Sequence, residues 1–335
     1  MKKIEIDLPE GYSIRFANKE DIPQIMIFFD KYWKKDHILA RDRNFFEYEF
    51  CRDDEVCVTL LIDNKEKIKG TLGYIPYGNG FRDIFMVMWK VIENNDLFLG
   101  TSLLYYLVEN GRCRHIFTSG LNKGTANIYK YLGLQVVLLT HYYIVNPYVE
   151  QKVAKFSVKD IHFPKVNTEE KWHECDLIEF ENSYKESTID NKIHKSCEYI
   201  LHRYYENPIF FYKIYRASVN DKNYFAVFRI QTYGSARILR VIDYFGDEFL
   251  AVDVASLVWK IMCQEKCEYA DMYAYGLNDH IMQEAGFHMI TEASEDIVPN
   301  YFSPFKLENI EIRAMFEKGM QPYIFKGDGD QDRPS

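Results

Sequence analysis

The chain has no Cys-x-x-Cys pair and no Cys or His spacing suited to zinc; its seven cysteines are scattered over 335 residues. An odd count without a framework is the pattern of reduced thiols in a cytoplasm, and it points to no metal. No stretch approaches the roughly 18 uninterrupted apolar residues of a transmembrane helix. The opening, Met1-Lys2-Lys3-Ile4-Glu5-Ile6-Asp7, meets acidic residues before any apolar run forms, unlike a secretory leader. Basic surplus is lacking as well: 41 Lys and Arg stand against 50 Asp and Glu, a net charge of −9. That argues against a nucleic-acid-binding face, though not against a local basic pocket for a phosphate-bearing small molecule. The expectation is a soluble cytoplasmic protein with neither membrane nor nucleic acid as partner.

What is present is apolar bulk. Hydrophobic residues make up 47% of the chain, with 26 Tyr and 24 Phe, so it folds into sizeable cores. The length suits two domains. The most informative stretch is Ser119-Gly-Leu-Asn-Lys-Gly-Thr-Ala-Asn-Ile-Tyr-Lys-Tyr-Leu-Gly133. A strand-like run, His115 to Thr118, feeds it, a helical pattern follows, and Gly133 closes the helix. This puts Asn122 at a strand end and Tyr129 two turns into a helix, both facing one cleft. A shorter version recurs at Tyr269 to Tyr273, Gly276-Leu277-Asn278 and Gly286-Phe287. Two strand–turn–helix–Gly units suggest a duplicated α/β domain.

The pattern before Val145 reads β-α-α-β-β-β-α-β-α-β-β. Tyr12 to Phe16 alternates as a strand, and Asn18 caps a helix running towards Trp33. Val56 to Ile62 and Ile68 to Pro76 form an antiparallel pair. Asp83 to Val91, apolar at nearly every position, reads as a buried central strand. After a polar connection over residues 152–174 the order repeats. Helix is expected over Lys192 to Tyr205, strands over 210–216, 224–232, 236–245 and 270–275, and an irregular ending holds Pro299-Asn300-Tyr301-Phe302 and a strand at Tyr323 to Lys326. Domains are expected at 1–150 and 151–335, in an α/β (α+β) fold of two mixed sheets flanked by helices.

This order resembles, in tandem, the GNAT superfamily of acyl-CoA-dependent N-acyltransferases. Asn122 and Tyr129 match the family's Asn at the end of its fifth strand and the Tyr that protonates the departing thiolate. The family's phosphate motif is reduced here to Asn95-Asp96-Leu97-Phe98-Leu99-Gly100-Thr101-Ser102, with one glycine left. The resemblance implies acyl-CoA, as acetyl-CoA or 3-hydroxybutyryl-CoA, bound by the first half through Val87, Trp89, Leu99, Gly100, Thr101 and Ser102. In the second half Gly246-Asp247-Glu248 stands at that place, and carboxylates repel phosphate. Ile242 to Asp247, Pro299 to Phe302 and Lys326-Gly-Asp-Gly-Asp-Gln-Asp-Arg-Pro334 look like tandem members of bacterial surface-polysaccharide pathways. That implies sugar N-acyltransferases, with a dTDP-linked 3-amino-3,6-dideoxyhexose as acceptor.

The chemistry needs few groups. A neutral amine attacks a thioester, and a splayed strand over Phe85 to Trp89 offers an N–H to the oxyanion. Tyr129 supplies the proton. Asn122 serves the site or only caps its helix. Asp243, on a strand, requires a partner when buried: an amine substrate, or an arginine such as Arg203 or Arg240. His37, in the loop that shapes the acceptor side of this fold, is a base or closes the loop, and Glu93 is a third candidate base. His141, set among apolar residues, belongs to the core. Asn300 and Tyr301 suit a sugar or thymine. The tail is a disordered end or a turn over the nucleotide, with Asp328 at its start and Arg333 on a phosphate; its spaced carboxylates lack the other ligands of a calcium loop.

Overall fold

The computed structural model describes residues 8–78, 83–92, 98–111, 113–157, 163–164, 171–186, 189 and 191–334. The strands are β1 Tyr12–Ala17, β2 Cys51–Arg52, β3 Glu55–Asp63, β4 Ile68–Pro76, β5 Asp83–Val91, β6 His115–Ser119, β7 Gln135–Leu138, β8 Thr140–Val145 and β9 Trp172–Glu174. They continue as β10 Lys213–Val219, β11 Lys222–Tyr233, β12 Ala236–Phe245, β13 Tyr269–Tyr275, β14 His288–Met289, β15 Arg313–Phe316 and β16 Ile324–Phe325. Helices are α1 Ile22–Tyr32, α2 Ile38–Arg41, α3 Arg43–Phe50, α4 Phe98–Asn110, α5 Lys123–Tyr131, α6 Leu177–Ser183, α7 Cys197–Ile200, α8 Ala251–Gln264 and α9 Asp279–Glu284.

Two mixed sheets result, as the sequence pattern implied. One runs β1-β3-β4-β5-β6-β15-β7, the other β14-β8-β13-β12-β11-β10-β9. The two halves exchange a strand. β8, from the first half, pairs with β13 over Thr140 to Val145. β15, from the far end of the chain, lies between β6 and β7, with Ala314 opposite both Ser119 and Val137. Each sheet is therefore completed by the other half, and a cut near residue 150 runs through both sheets rather than between two units.

β5 shows why its sequence does not alternate. Phe85 and Val87 pack with α1 and α3, while Ile84 and Met86 pack with α4 residues Leu103 and Leu107, so both faces are covered. Local chemistry sets several helix starts: Asn18 and Asp21 form a capping box, Asp42 caps α3 and Asn278 caps α9. The helix expected from Lys192 begins only at Cys197 and continues into a π-helical turn over Leu201–Tyr205. The backbone before it is committed elsewhere: Ser196 N donates to Tyr77 O, and Lys195 turns inward to two carboxylates.

The tail is neither disordered nor a flap over solvent. Lys326 to Gly329 are buried, and each tail carboxylate has its own partners. Asp328 accepts from Lys195 Nζ at 2.7 Å, Tyr77 Oη at 2.9 Å and Phe325 N at 2.8 Å. Asp332 takes both ends of the Arg229 guanidinium, at 3.0 and 2.6 Å, and the Tyr212 hydroxyl at 2.9 Å. Asp330 meets Arg333 at 3.1 Å. Arg203 Nη2 donates to the carbonyls of Gly329 and Asp332 at 3.1 and 3.0 Å. Among the described residues no helix is long and apolar enough to cross a membrane.

Candidate functional site

In the first half, β5 and β6 run parallel but pair only from Asp83 with His115 to Phe85 with Phe117, then separate. On its other side β5 loses register with β4: Thr71 faces Lys90 and Gly73 faces Val87, so Met88 and Trp89 together oppose Leu72. Met88 has φ of 52°, a left-handed conformation that costs a residue with a Cβ. Thr71 Oγ1 holds this bulge by donating to Met88 O at 3.1 Å. Beyond Phe85 the β5 backbone has no β6 partner among the described residues, and a splay beside a bulge is the kind of edge an amide-bearing ligand can pair with.

The side chains divide by face. Towards α4 and α5 stand Trp89 and Tyr129, with ring centroids 5.3 Å apart. Tyr129 is fully buried, burial alone holds its pKa well above that of a free phenol, and its hydroxyl has no hydrogen-bond partner among the described residues. It therefore keeps its proton at neutral pH. Trp89 reaches the start of α4, its indole 3.6 Å from where a Cβ on Gly100 would stand. Towards the inter-half core stand Phe85, Val87, Met88 and Phe117. Ser119, two residues beyond Phe117 on the same strand face, has a buried Oγ without a partner among the described residues.

The remaining residues singled out for acyl-CoA divide. Leu99 packs into the core under α4. Thr101 and Ser102 turn their hydroxyls back onto Phe98 O, at 2.9 and 2.8 Å, so neither proton points at a phosphate. Glu93 and Asn95 to Leu97 lie outside the described residues. Asn122 Oδ1 accepts from Thr125 N at 2.9 Å and caps α5. His37 is buried at the start of α2; burial and the cations Arg333, Lys34 and Arg41 push it down to about 3. Its Nδ1 accepts from Leu39 N at 3.3 Å, which puts the proton of the neutral ring on Nε2. In that tautomer His37 is a hydrogen-bond donor, not a base.

The second half repeats the splay and fills it. β12 and β13 pair from Ile238 with Tyr269 to Arg240 with Asp271, then part. β16 enters the gap, its Ile324 and Phe325 opposite Tyr275 and Ala274, and Gly327 N donates to Ile242 O at 2.7 Å. Asp243 faces this insertion. Its partner is neither an amine substrate nor an arginine but Lys195, at 3.0 and 2.8 Å, with the Tyr204 hydroxyl at 2.6 Å and Tyr244 N at 2.8 Å. Burial and the nearby Asp328 raise the carboxyl's pKa, while Lys195 opposes the rise. Asp243 is fully buried, and these contacts use both of its oxygens.

Three further expectations change in the same way. Asn300 is buried, and its Oδ1 accepts from Arg240 at 3.0 Å and from Lys326 Nζ. Asp328 is sealed beneath Lys195. Arg333 pairs with Glu49 at 3.4 Å and Asp330, with its Nη2 3.4 Å from Met88 Sδ, so carboxylates occupy it rather than a phosphate. Tyr301 stays 43% exposed and able to meet a ligand. His141 is buried, bonded to Asp271 at 3.2 Å and stacked on Tyr273.

Across nearly its whole length the chain matches a putative acetyltransferase from Pyrococcus horikoshii: TM-score 0.50, 14% identity, 96% of this chain and 94% of that one. A GCN5-related N-acetyltransferase from Anabaena variabilis matches over 91% of this chain and 72% of its own, with TM-score 0.52 and 12% identity. A conserved protein of unknown function from Enterococcus faecalis, a probable N-acyltransferase, matches over 90% and 72%, with TM-score 0.55 and 8% identity. The fold is that of the GCN5-related N-acetyltransferases, built twice. At such identities the likeness is one of fold. No family model matches the sequence, and no curated protein does.

Within this tandem GNAT fold the tail closes the far side of the first splay, which sequence reasoning missed. Gly329 lies so close to Phe85 that a Cβ would stand 2.1 Å from the ring, and it adopts φ of 65°. A Cβ on Gly120, at the end of β6, would stand 2.2 Å from Gln331 Nε2. Phe85, Met88 and Gly120 line both walls of the splay, and residues 329–333 touch all three. The signal available was the density of Gly and Asp at 327–332. Lys195, Tyr77 and Tyr204 gave none, because their partners lie far away in sequence.

Proposed function

We propose that this chain is an acyl-CoA-dependent N-acyltransferase with one donor site, in the first half. The observation that carries the reading is the contrast between the two splays. The first has a bulge at Met88–Trp89 and a buried, protonated tyrosine with no hydrogen-bond partner among the described residues; the second is filled by residues 324–328. The residues fit acyl-CoA as follows: the bulge backbone would pair with the pantetheine amides, and the first turn of α4 at Gly100 would face the pyrophosphate. When bound, the thioester supplies an activated acyl carbon. Tyr129 holds a proton at Oη beside that slot, where a leaving thiolate can take it, a contribution of about 10²–10⁴-fold. The Nε2–H of His37 orients an acceptor rather than deprotonating it. An amino-sugar amine is less basic than a lysine and is partly neutral near pH 7, so the acceptor arrives without needing a strong base.

For the acceptor we propose a dTDP-linked 3-amino-3,6-dideoxyhexose, with acetyl or 3-hydroxybutyryl as the acyl group. Support comes from the sequence likeness over 242–247, 299–302 and 326–334. The test is thiol release from acetyl-CoA and 3-hydroxybutyryl-CoA with dTDP-3-amino-3,6-dideoxygalactose and its glucose epimer. Sugar-dependent release supports the reading; release only with other amines keeps the transferase and discards the sugar. Calorimetry should count one acyl-CoA per chain, and two would discard the single-site assignment. A second reading, a non-catalytic nucleotide-sugar-binding module, is favoured by one observation: Trp89 lies over Gly100 and Tyr129, in the proposed slot. Nucleotide-sugar binding without acyl-CoA binding would support it.

A further inference from the structure

The second half has its donor cleft filled, yet it keeps an open cavity of about 360 Å³. The cavity lies between residues 183–186 and 192–195, on either side of the connection from α6 to α7, and the adjoining ends of β11 and β12. In the first half, the corresponding connection between α1 and α2 ends at His37, which is buried. Loss of a cofactor slot beside retention of a cavity is the arrangement of a binding site without chemistry of its own. The volume suits a small ligand, since such pockets run from about 300 Å³ upward.

The lining states the ligand's chemistry. Its walls are aromatic, formed by Tyr184, Tyr244, Phe245 and Tyr323. At its floor Lys195 is already neutralised by Asp243 and Asp328. At its exposed rim Lys222 meets Asp247 at 3.3 Å, and Lys185 stands among the rim carboxylates Glu186 and Asp221. Lys192 differs from all of these. It is half-buried, and its ammonium sits 3.8 Å over the Tyr323 ring with neither a hydrogen bond nor an ion pair among the described residues. Burial lowers its pKa, with Asp247 opposing. A half-buried cation held only by a ring face is short of an anion.

We propose that this cavity binds a phosphorylated ring compound, its phosphate on Lys192 and its ring against the aromatic walls, independently of acyl-CoA. Calorimetry on the full-length protein tests it with thymidine 5′-monophosphate, glucose 1-phosphate, inorganic phosphate and thymidine, each with and without coenzyme A. At least one phosphorylated ring should bind once per chain, more tightly than phosphate or thymidine, and coenzyme A should not displace it. Lys192→Ala should weaken that binding about tenfold or more, the worth of a charge-assisted hydrogen bond. Lys192→Arg should keep most of it. Because the Lys192 ammonium makes no hydrogen bond among the described residues, both variants should melt close to the wild type. Binding of neither phosphorylated ring, unchanged affinity in Lys192→Ala, or displacement by coenzyme A would overturn the proposal. These readouts involve no turnover, so they stand or fall apart from the acyl-transfer reading.

Discussion

The two halves take the same path through space and differ in what lies where their central parallel strands part. In the first, the gap beside β5 holds a strand bulge, Trp89 and Tyr129. In the second, the chain's own residues 324–328 occupy the gap beside β12, and α9 carries no tyrosine. The difference teaches how two copies of one fold can diverge at the same point. The second splay is locked by backbone pairing and by Lys195 between two buried aspartates, so it gains rigidity and gives up an opening. In the first, β5 has no β6 partner beyond Phe85 among the described residues, and residues 329–333 close the other side of the gap.

The contrast breaks most visibly at Asp332. Asp332→Ala leaves Arg229 buried without its two-point partner and should cost about 3–5 kcal/mol in chemical denaturation. Wild-type stability in that variant would mean that the tail is not part of the core. Next in size is Tyr129→Phe. It should lower kcat about a hundredfold, around 2.7 kcal/mol in barrier, with little change in KM or melting temperature, because the hydroxyl makes no hydrogen bond among the described residues. An unchanged kcat with the chemical step limiting would remove Tyr129 from the reaction.

Lys326 sharpens the comparison through pH. Burial and Arg240 bring its ammonium down to about 7, against an ordinary value near 10.5. From pH 7 to 10 the unfolded chain holds a proton that the folded one has released, so this lysine makes stability rise with pH. The slope is at most about 1.4 kcal/mol per pH unit. Denaturation across that range should show the rise in the wild type relative to Lys326→Met, and parallel curves would contradict it. The smallest effect concerns Asn122. Asn122→Ala removes the cap of α5 and should cost about 1 kcal/mol while leaving kcat nearly unchanged. A large loss of kcat would give the residue a part in the chemistry.

Local order was legible in the sequence, and distant partnership was not. β12 falls where its pattern puts it, and the Asn122-to-Gly133 unit carries the strand end, cap and helix stop it promised. Tyr129 could be singled out because its spacing to Asn122 and Gly133 is local. Asp243 was recognised as a carboxylate in need of a partner, but the partner is a lysine in a segment that reads as helix. β15 escaped notice for a related reason: its neighbours β6 and β7 lie nearly two hundred residues earlier, and no hairpin signals that pairing. The tail misled because Gly and Asp in series suggest an exposed end, whereas here each carboxylate neutralises a cation in the core.

The position of β15 also bears on how the chain is made. β7 ends at Leu138 and β15 begins at Arg313, so about 175 residues are synthesised between them. At roughly 5–20 residues per second, that interval lasts on the order of 10 to 35 s. Throughout it, β6 and β7 emerge from the ribosome with the strand that joins them still unmade, exposing two unpaired edges of the kind that invite aggregation. The first half is thus translated first and finished last, and a nascent chain halted before Arg313 is one that holdase chaperones should retain.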